Sequence, residues 1–183
     1  MMLVGTNHNK IHSKRRLRGT SIAELPLAMW VIFIGIGMPL LSLTLITVRY
    51  GMFVEAARQA VDVACSTQTY GTSSGAVYSA YTTASSVTAV FPGVNMYDCK
   101  CWIIVTPLYG SGPVQVIGPN TPLASPADPS QNLYQIRVDL KAYIQPILAM
   151  PLPEFINIPG LSIPIDAQVS STRVFENPPG LSS

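Results

Sequence analysis

The stretch that decides the fold is LPLAMWVIFIGIGMPLLSLTLITV, residues 25–48. It holds 24 consecutive residues without a charge. As an α-helix it would be about 36 Å long at ~1.5 Å per residue, whereas the hydrocarbon core of a bilayer is ~30 Å thick. A buried core helix would be shorter and would have a polar face, and a cleaved secretory signal has an apolar core of only about 7–15 residues. The stretch therefore predicts one transmembrane helix.

The two flanks of this span differ in charge. Residues 1–19 contain no acidic residue and five basic ones, namely Lys10, Lys14, Arg15, Arg16 and Arg18. Beyond the span, basic and acidic residues are mixed. The positive-inside rule therefore predicts a cytoplasmic N-terminus and an exported chain after about residue 50. Retention on the cytoplasmic side explains a basic cluster beside a span, and nothing else indicates nucleic-acid binding.

Residues 50–64 predict that the membrane helix continues outside the bilayer. They are Ala-rich, and no Pro or Gly cluster separates them from the span. At helical spacing their apolar side chains form one stripe, made of Phe53, Ala57, Ala60, Val61 and Ala64. We expect this stripe to pack against a globular domain.

The rest of the chain predicts a small exported domain. A weak second helix is expected over residues 76–91. Three strands are expected: an apolar run at 101–108, a clear alternation of apolar and polar residues at 134–142, and another alternation from 163 to about 175. The fold class is thus α+β, a long N-terminal transmembrane helix packed on a small antiparallel sheet of about three strands.

Residues rich in Pro and Gly fill the connections 107–129 and 146–164, which are expected to be loops. The chain then divides into a basic leader (1–19), a transmembrane helix (20–48), its outward continuation (49–67), an exported domain (68–176) and a tail (177–183). The tail has no ordering signal and is predicted to be disordered.

Catalytic chemistry has little support. The two histidines, His8 and His12, both lie in the leader, so the exported region has no imidazole for a metal site or a catalytic base. Its carboxylates are scattered, and Asp139 is expected on the solvent face of a strand beside Arg137 and Lys141. We predict a protein that is not an enzyme and uses no cofactor or metal.

The three cysteines, Cys65, Cys99 and Cys101, all fall on the predicted exported side, where the compartment is oxidising in most bacteria. Residues two apart in a strand are roughly 6.6 Å apart, near the outer limit for a disulfide. The hypothesis is therefore a bridge from Cys65 to Cys99 or Cys101, with one thiol left over. It would close a loop of about 35 residues and contribute about 3–4 kcal/mol.

Glu24 is a charge at the start of the apolar run. A carboxylate costs up to ~2.5–3.5 kcal/mol at mid-depth in a bilayer and less near the interface. Two interpretations stay open. Glu24 reaches the headgroups and begins the helix, where its charge suits the helix dipole, or it has a partner within the membrane.

The string RRLRGTSIAE, residues 15–24, followed at once by the apolar helix, resembles the class III signal of type IV pilin-like proteins. In that family a leader peptidase cuts after a glycine on the cytoplasmic face, and the helix stays on the mature protein. The resemblance implies cleavage between Gly19 and Thr20, with Glu24 as the family's acid five residues beyond the cut. The carboxylate of a neighbouring subunit's Glu24 could then neutralise the new α-amino group.

Within this superfamily the chain is most similar to the TadE/TadG-like minor pilins, or pseudopilins, of the tight-adherence (Flp) system. Residues 56–64 (AARQAVDVA) and 171–176 (STRVFE) carry this likeness. It implies a non-enzymatic minor subunit or assembly factor in the bacterial inner membrane. The implied partners are a prepilin peptidase, other pilin-like subunits, an inner-membrane assembly platform and the lipid bilayer. The alternative is an uncleaved single-pass protein whose exported domain binds something unrelated to pili.

Two prolines interrupt the predicted span. Pro26 lies in its first turns, and Pro39 follows Gly35 and Gly37. Proline removes a helix hydrogen bond and kinks the helix. Such a bend would let subunits pack or be extracted, or it is an incidental transmembrane kink.

Overall fold

The computed structural model describes residues 17–110, 112–146 and 157–182, with side chains described from Glu24 onward. The chain divides into two compact units, Met1–Leu41 and Ser42–Ser183. Its first helical elements are α1 (Leu17–Ile32), a π-helical segment (Phe33–Gly37) and α2 (Met38–Cys65). The remaining large elements are α3 (Ala76–Val90), β1 (Val94–Pro107), β2 (Gln115–Ile117), β3 (Asn132–Ile144) and β4 (Ile165–Val174).

The first unit exposes its apolar side chains all round the helix. Leu25, Met29, Trp30 and Phe33 are each at least 60% exposed. Within the residues that the structure describes, one helix, Glu24–Cys65, is long and apolar enough to cross a membrane. Only 11% of its most apolar 18-residue segment is buried, so the described residues do not cover this surface.

The helix departs from α geometry just before Pro39. The backbone N–H of Met38 donates to the carbonyl of Phe33, a bond that spans five residues instead of four. Pro39 has no N–H, and its ring would collide with the carbonyl of residue 35 in a regular α-helix, so the wider turn accommodates it. A π-helical turn thus precedes Pro39, and α1 continues through Pro26, while the kinks predicted at the two prolines stay predictions.

The second unit is α+β, as predicted, but its antiparallel sheet has four strands instead of three. The strand order is β2-β1-β3-β4. The added strand, β2, lies inside the segment 107–129 that was expected to be a loop, and it pairs with residues 103–105 of β1. The strand consists of only three residues, so it leaves no alternation for a sequence pattern to detect.

Strand β1 begins at Val94, seven residues before the predicted start at 101. Its first half carries charged side chains, with an ion pair of 2.9 Å between Lys100 and Asp98. A continuous apolar run is typical of a strand that is buried on both faces. The charged half of β1 is exposed on one face, so this pattern does not detect it. A bulge between Met96 and Asp98 further disturbs the alternation there.

Helix α2 packs on the inner face of this sheet. All five residues of the predicted stripe are buried, namely Phe53, Ala57, Ala60, Val61 and Ala64. They share one hydrophobic core with the inner side chains of β1 and β3, including Ile103, Ile136 and Leu140. The prediction of a helix packed on an antiparallel sheet is therefore confirmed for residues 42–65.

The C-terminal tail, predicted to be disordered, is ordered in the structure. Residues Pro178–Ser182 form a short 3-10 helix in which Leu181 is fully buried. The N–H of Leu123 donates to the carbonyl of Leu181 at 2.8 Å, and the N–H of Tyr70 donates to that of Gly180 at 3.0 Å. One buried leucine and a few backbone bonds thus order a segment too short to show a periodic signal.

Replacing Leu181 by Ala tests this docking. Removal of a buried leucine side chain is expected to lower the free energy of unfolding by about 2–5 kcal/mol. The matched control is Leu108→Ala, because Leu108 is 49% exposed and such changes stay within about 0.5 kcal/mol. Thermal unfolding of the full-length protein in detergent measures both. Equal melting temperatures for the two variants would contradict the docked tail.

Candidate functional site

The predicted processing junction lies in the first turn of α1. The backbone of Gly19 and Thr20 is helical, because the helix begins at Leu17. Cleavage needs an extended backbone, so a peptidase would first have to open this turn. The cost is small at a helix terminus, which frays, and glycine is a weak helix former by about 1 kcal/mol. Arg18 belongs to the same turn, and Lys14, Arg15 and Arg16 lie outside the described residues.

Glu24 is exposed on α1 at the start of the apolar surface. None of the side chains described from residue 24 onward forms a hydrogen bond or an ion pair with it. The next residues toward the C-terminus are uncharged as far as Arg49. Near a bilayer such a carboxylate is tolerated best where a cation or the polar headgroups can reach it.

A shallow apolar groove follows one turn further along the helix. Met29, Ile32, Phe33, Ile36 and Gly37 line it. The ring of Phe33 lies over Gly37, where an added Cβ would approach it to 3.5 Å, and an added Cβ at Gly35 would meet nothing within 4 Å. Small residues let another helix approach its partner closely in a membrane. The groove is therefore suited to a second apolar helix.

Arg49 ties α2 to the end of the sheet where Gly93 and Gln145 lie. Its guanidinium donates to the carbonyl of Gln145 and lies against Gly93. Gly93 has a φ of +92°, a backbone conformation that other residues rarely adopt, and a Cβ there would collide with the guanidinium. Both the backbone conformation and this contact therefore require glycine. From the sequence alone, Arg49 is one of the mixed charges beyond the span. Its place directly after the apolar run was the one available signal of this role.

The other end of α2 is tied to β4 and to the chain after it. Asp62 forms an ion pair with Arg173, and the N–H of Glu176 donates to the carbonyl of Cys65 at 3.1 Å. The hydrogen bond from Arg173 to Asp62 raises the pKa of the guanidinium. Both side chains are half exposed, so this ion pair adds little stability. Its effect is to fix the register between helix and strand.

The three cysteines are free thiols, and the bridge predicted from Cys65 is absent from the structure. The Cys65 thiol instead donates to the carbonyl of Arg173 at 3.6 Å. Cys101 is fully buried on the inner face of β1, and Cys99 is half-buried two residues before it. Loop-closure entropy gives the stability of a bridge but does not say which thiols face each other.

The charges on the outer face of the sheet pair with one another. Asp139 was expected to be solvated, but its side chain is only 12% exposed and lies 3.2 Å from the guanidinium of Arg137. That guanidinium also lies over the ring of Trp102, at 5.4 Å from the centroid. Asp166 accepts a hydrogen bond of 2.8 Å from Tyr97, and this bond raises the pKa of Tyr97 to about 12. Within the described parts of the chain, no three His, Cys, Asp or Glu residues are grouped as metal ligands would be.

Comparison of the chain with family models, with curated proteins and with solved structures gives no match.

Burial of Cys65 predicts a dependence of stability on alkaline pH. Desolvation raises the pKa of this thiol from 9.0 to about 11. The folded protein therefore keeps the proton that the unfolded chain loses, so the stabilisation is complete below pH 9 and is lost as the pH rises toward 11.

The melting temperature of the natural protein should fall more steeply over this range than that of Cys65→Ala. Cys99→Ala, at the half-exposed thiol, should keep the steep decline. Parallel curves for the natural protein and Cys65→Ala would contradict the prediction.

Proposed function

We propose that this chain is a TadE/TadG-like pilin-like membrane protein, a minor subunit or assembly factor of a Flp-type pilus or a related secretion apparatus. In this proposal a prepilin peptidase cuts after Gly19, and the helix remains in the inner membrane with the sheet domain outside. The observation that carries the proposal is Glu24, an exposed carboxylate with no partner among the described side chains, at the start of an uncovered apolar helix.

The geometry supports assembly through the helix. Glu24 offers a negative charge, and the new α-amino group of Thr20 in a neighbouring subunit would offer the positive one. The groove begins at Met29 and ends at Gly37, so it extends from about 8 Å to about 20 Å beyond Glu24 at ~1.5 Å per residue. A charged contact at Glu24 and an apolar contact in the groove would together fix the register of two helices and the distance between them.

Several charged side chains of the sheet domain differ from Glu24 in having partners. They pair within the domain, as in Asp62–Arg173, Lys100–Asp98 and Arg137–Asp139. It therefore offers no cluster of unpaired charges, among the residues described, for acid–base chemistry. A structural role is the better proposal for it. An uncleaved single-pass protein with an exported binding domain is the alternative, and the processing experiment separates the two.

Processing is tested by intact mass. Co-expression of the full-length chain with a prepilin peptidase should remove residues 1–19, and Gly19→Ala should abolish the removal. The matched control is Gly35→Ala, another helical glycine at which an added Cβ meets nothing within 4 Å, and it should be processed normally. Retention of residues 1–19, or loss of them from Gly19→Ala as well, would support the uncleaved alternative.

Assembly is tested by Glu24→Gln. Because the substitution removes the charge and keeps the shape, cleavage should continue while association with other subunits falls at least tenfold, the equivalent of about 1.4 kcal/mol. The measurement is co-purification of a second, differently tagged copy from cross-linked membranes that contain the assembly platform. The control is Glu55→Gln, in the part of α2 beyond the apolar run. Undiminished co-purification of Glu24→Gln would contradict the role of Glu24.

A further inference from the structure

Cys99 and Cys101 form a dithiol whose two members differ in access. They lie two residues apart on β1, opposite Leu140 and Val138 of β3, so both side chains are on the same face of the strand. Cys101 is fully buried and Cys99 is half-buried, while Cys65 is only 1% exposed. All three are free thiols. Of these cysteines, only Cys99 can meet a reagent while the domain is folded.

We propose that Cys99 and Cys101 are a thiol–disulfide exchange site, with Cys99 as the attacking thiol and Cys101 as the resolving thiol. The substrate class is a disulfide, R–S–S–R′, carried by a small molecule or by another exported protein. This inference stands on the placement of the cysteines in the sheet and does not depend on a role in a pilus.

The reaction balances as two exchanges. The Cys99 thiolate attacks one sulfur of R–S–S–R′, forms a mixed disulfide Cys99–S–S–R and releases R′S⁻. Cys101 then attacks the Cys99 sulfur, which forms the Cys99–Cys101 disulfide, and the proton of the Cys101 thiol leaves with the released RSH. The two electrons leave the pair of thiols and reduce the incoming disulfide to two thiols.

The electrostatics of the pair assign the same order. The hydrogen bond from the Cys101 thiol lowers the pKa of Cys99, which increases its thiolate fraction. The same bond, together with burial, raises the pKa of Cys101. The buried thiol of Cys101 is therefore the less reactive of the two and acts second.

The backbone on either side indicates a bond that forms and breaks instead of a permanent bridge. Two residues apart in a strand, the Cα atoms are separated by roughly 6.6 Å, close to the upper limit for a disulfide, so the bridge is easily reduced again and forms only when the incoming disulfide is in excess. Cys101 is held firmly, because its N–H donates to Asn120 and its carbonyl accepts from Tyr70. The bulge after Met96 lies on the side of Cys99, where the strand is less regular.

The experiment uses the reduced full-length protein in detergent, with oxidised glutathione as the disulfide, an acid quench and mass mapping. The natural protein should lose two hydrogens, located in the peptide that contains Cys99 and Cys101. Cys101→Ala should stop at a stable glutathione adduct on Cys99, and Cys99→Ala should react at least tenfold more slowly. Cys65→Ala should behave like the natural protein.

Three outcomes would overturn the proposal: a bridge that includes Cys65, a first adduct on Cys65 or Cys101, or no reaction in the folded protein. The mapping of the natural protein decides between these without any variant. It therefore stays informative even if Cys101→Ala, at a fully buried position, does not fold. Neither the expected nor the contrary results depend on cleavage at Gly19, so failure of the pilin-like proposal is a separate observation.

Discussion

The packing of α2 on the inner face of the sheet is the interaction on which the rest of the second unit depends. A stripe of alanines with Phe53 and Val61 is buried against Ile103, Ile136 and Leu140. Burial of apolar surface contributes ~25 cal/mol per Å², so this contact is a favourable contribution to the stability of the domain. The polar ties at its two ends, through Arg49 and through Asp62 with Arg173, fix the position of the helix along the strands. They contribute alignment more than stability.

Unlike the buried face of α2, the apolar side chains before residue 42 are not covered by the described part of the chain. An exposed apolar surface of this extent is not tolerated in water, so another environment must cover it. Lipid and the apolar helices of other subunits both satisfy this requirement. The proposed function uses both, with Glu24 as the one charge that selects a helix partner over lipid.

Sequence reasoning found the elements whose signal is carried by many residues. The buried stripe of α2 and the alternation in β3 were predicted almost to the residue, because each repeats one pattern over several turns or pairs. It missed β2, which is three residues long, and the docked tail, which one side chain, Leu181, holds in place. It also began β1 too late, because Asp98 and Lys100 interrupt the apolar run that was used to detect it.

The candidate site was predictable only in part. Gly19 and Glu24 could be identified from the local string alone, and their roles stay predictions. The cysteines could be counted, but their arrangement could not, because it depends on which face of β1 meets the core and on the path of α2 beneath it. The partner of Arg49, the carbonyl of Gln145, lies 96 residues away along the chain, and no local pattern indicates such a contact.

The central claim is that the apolar helix spans the membrane with the sheet domain outside. Protease protection tests it most directly. In spheroplasts that contain the chain with a tag at each end and no prepilin peptidase, added protease should remove the C-terminal tag. It should leave the N-terminal tag intact in a fragment that resists extraction from the membrane by alkaline carbonate. Release of the whole chain by carbonate, or loss of the N-terminal tag with the C-terminal tag protected, would contradict the account.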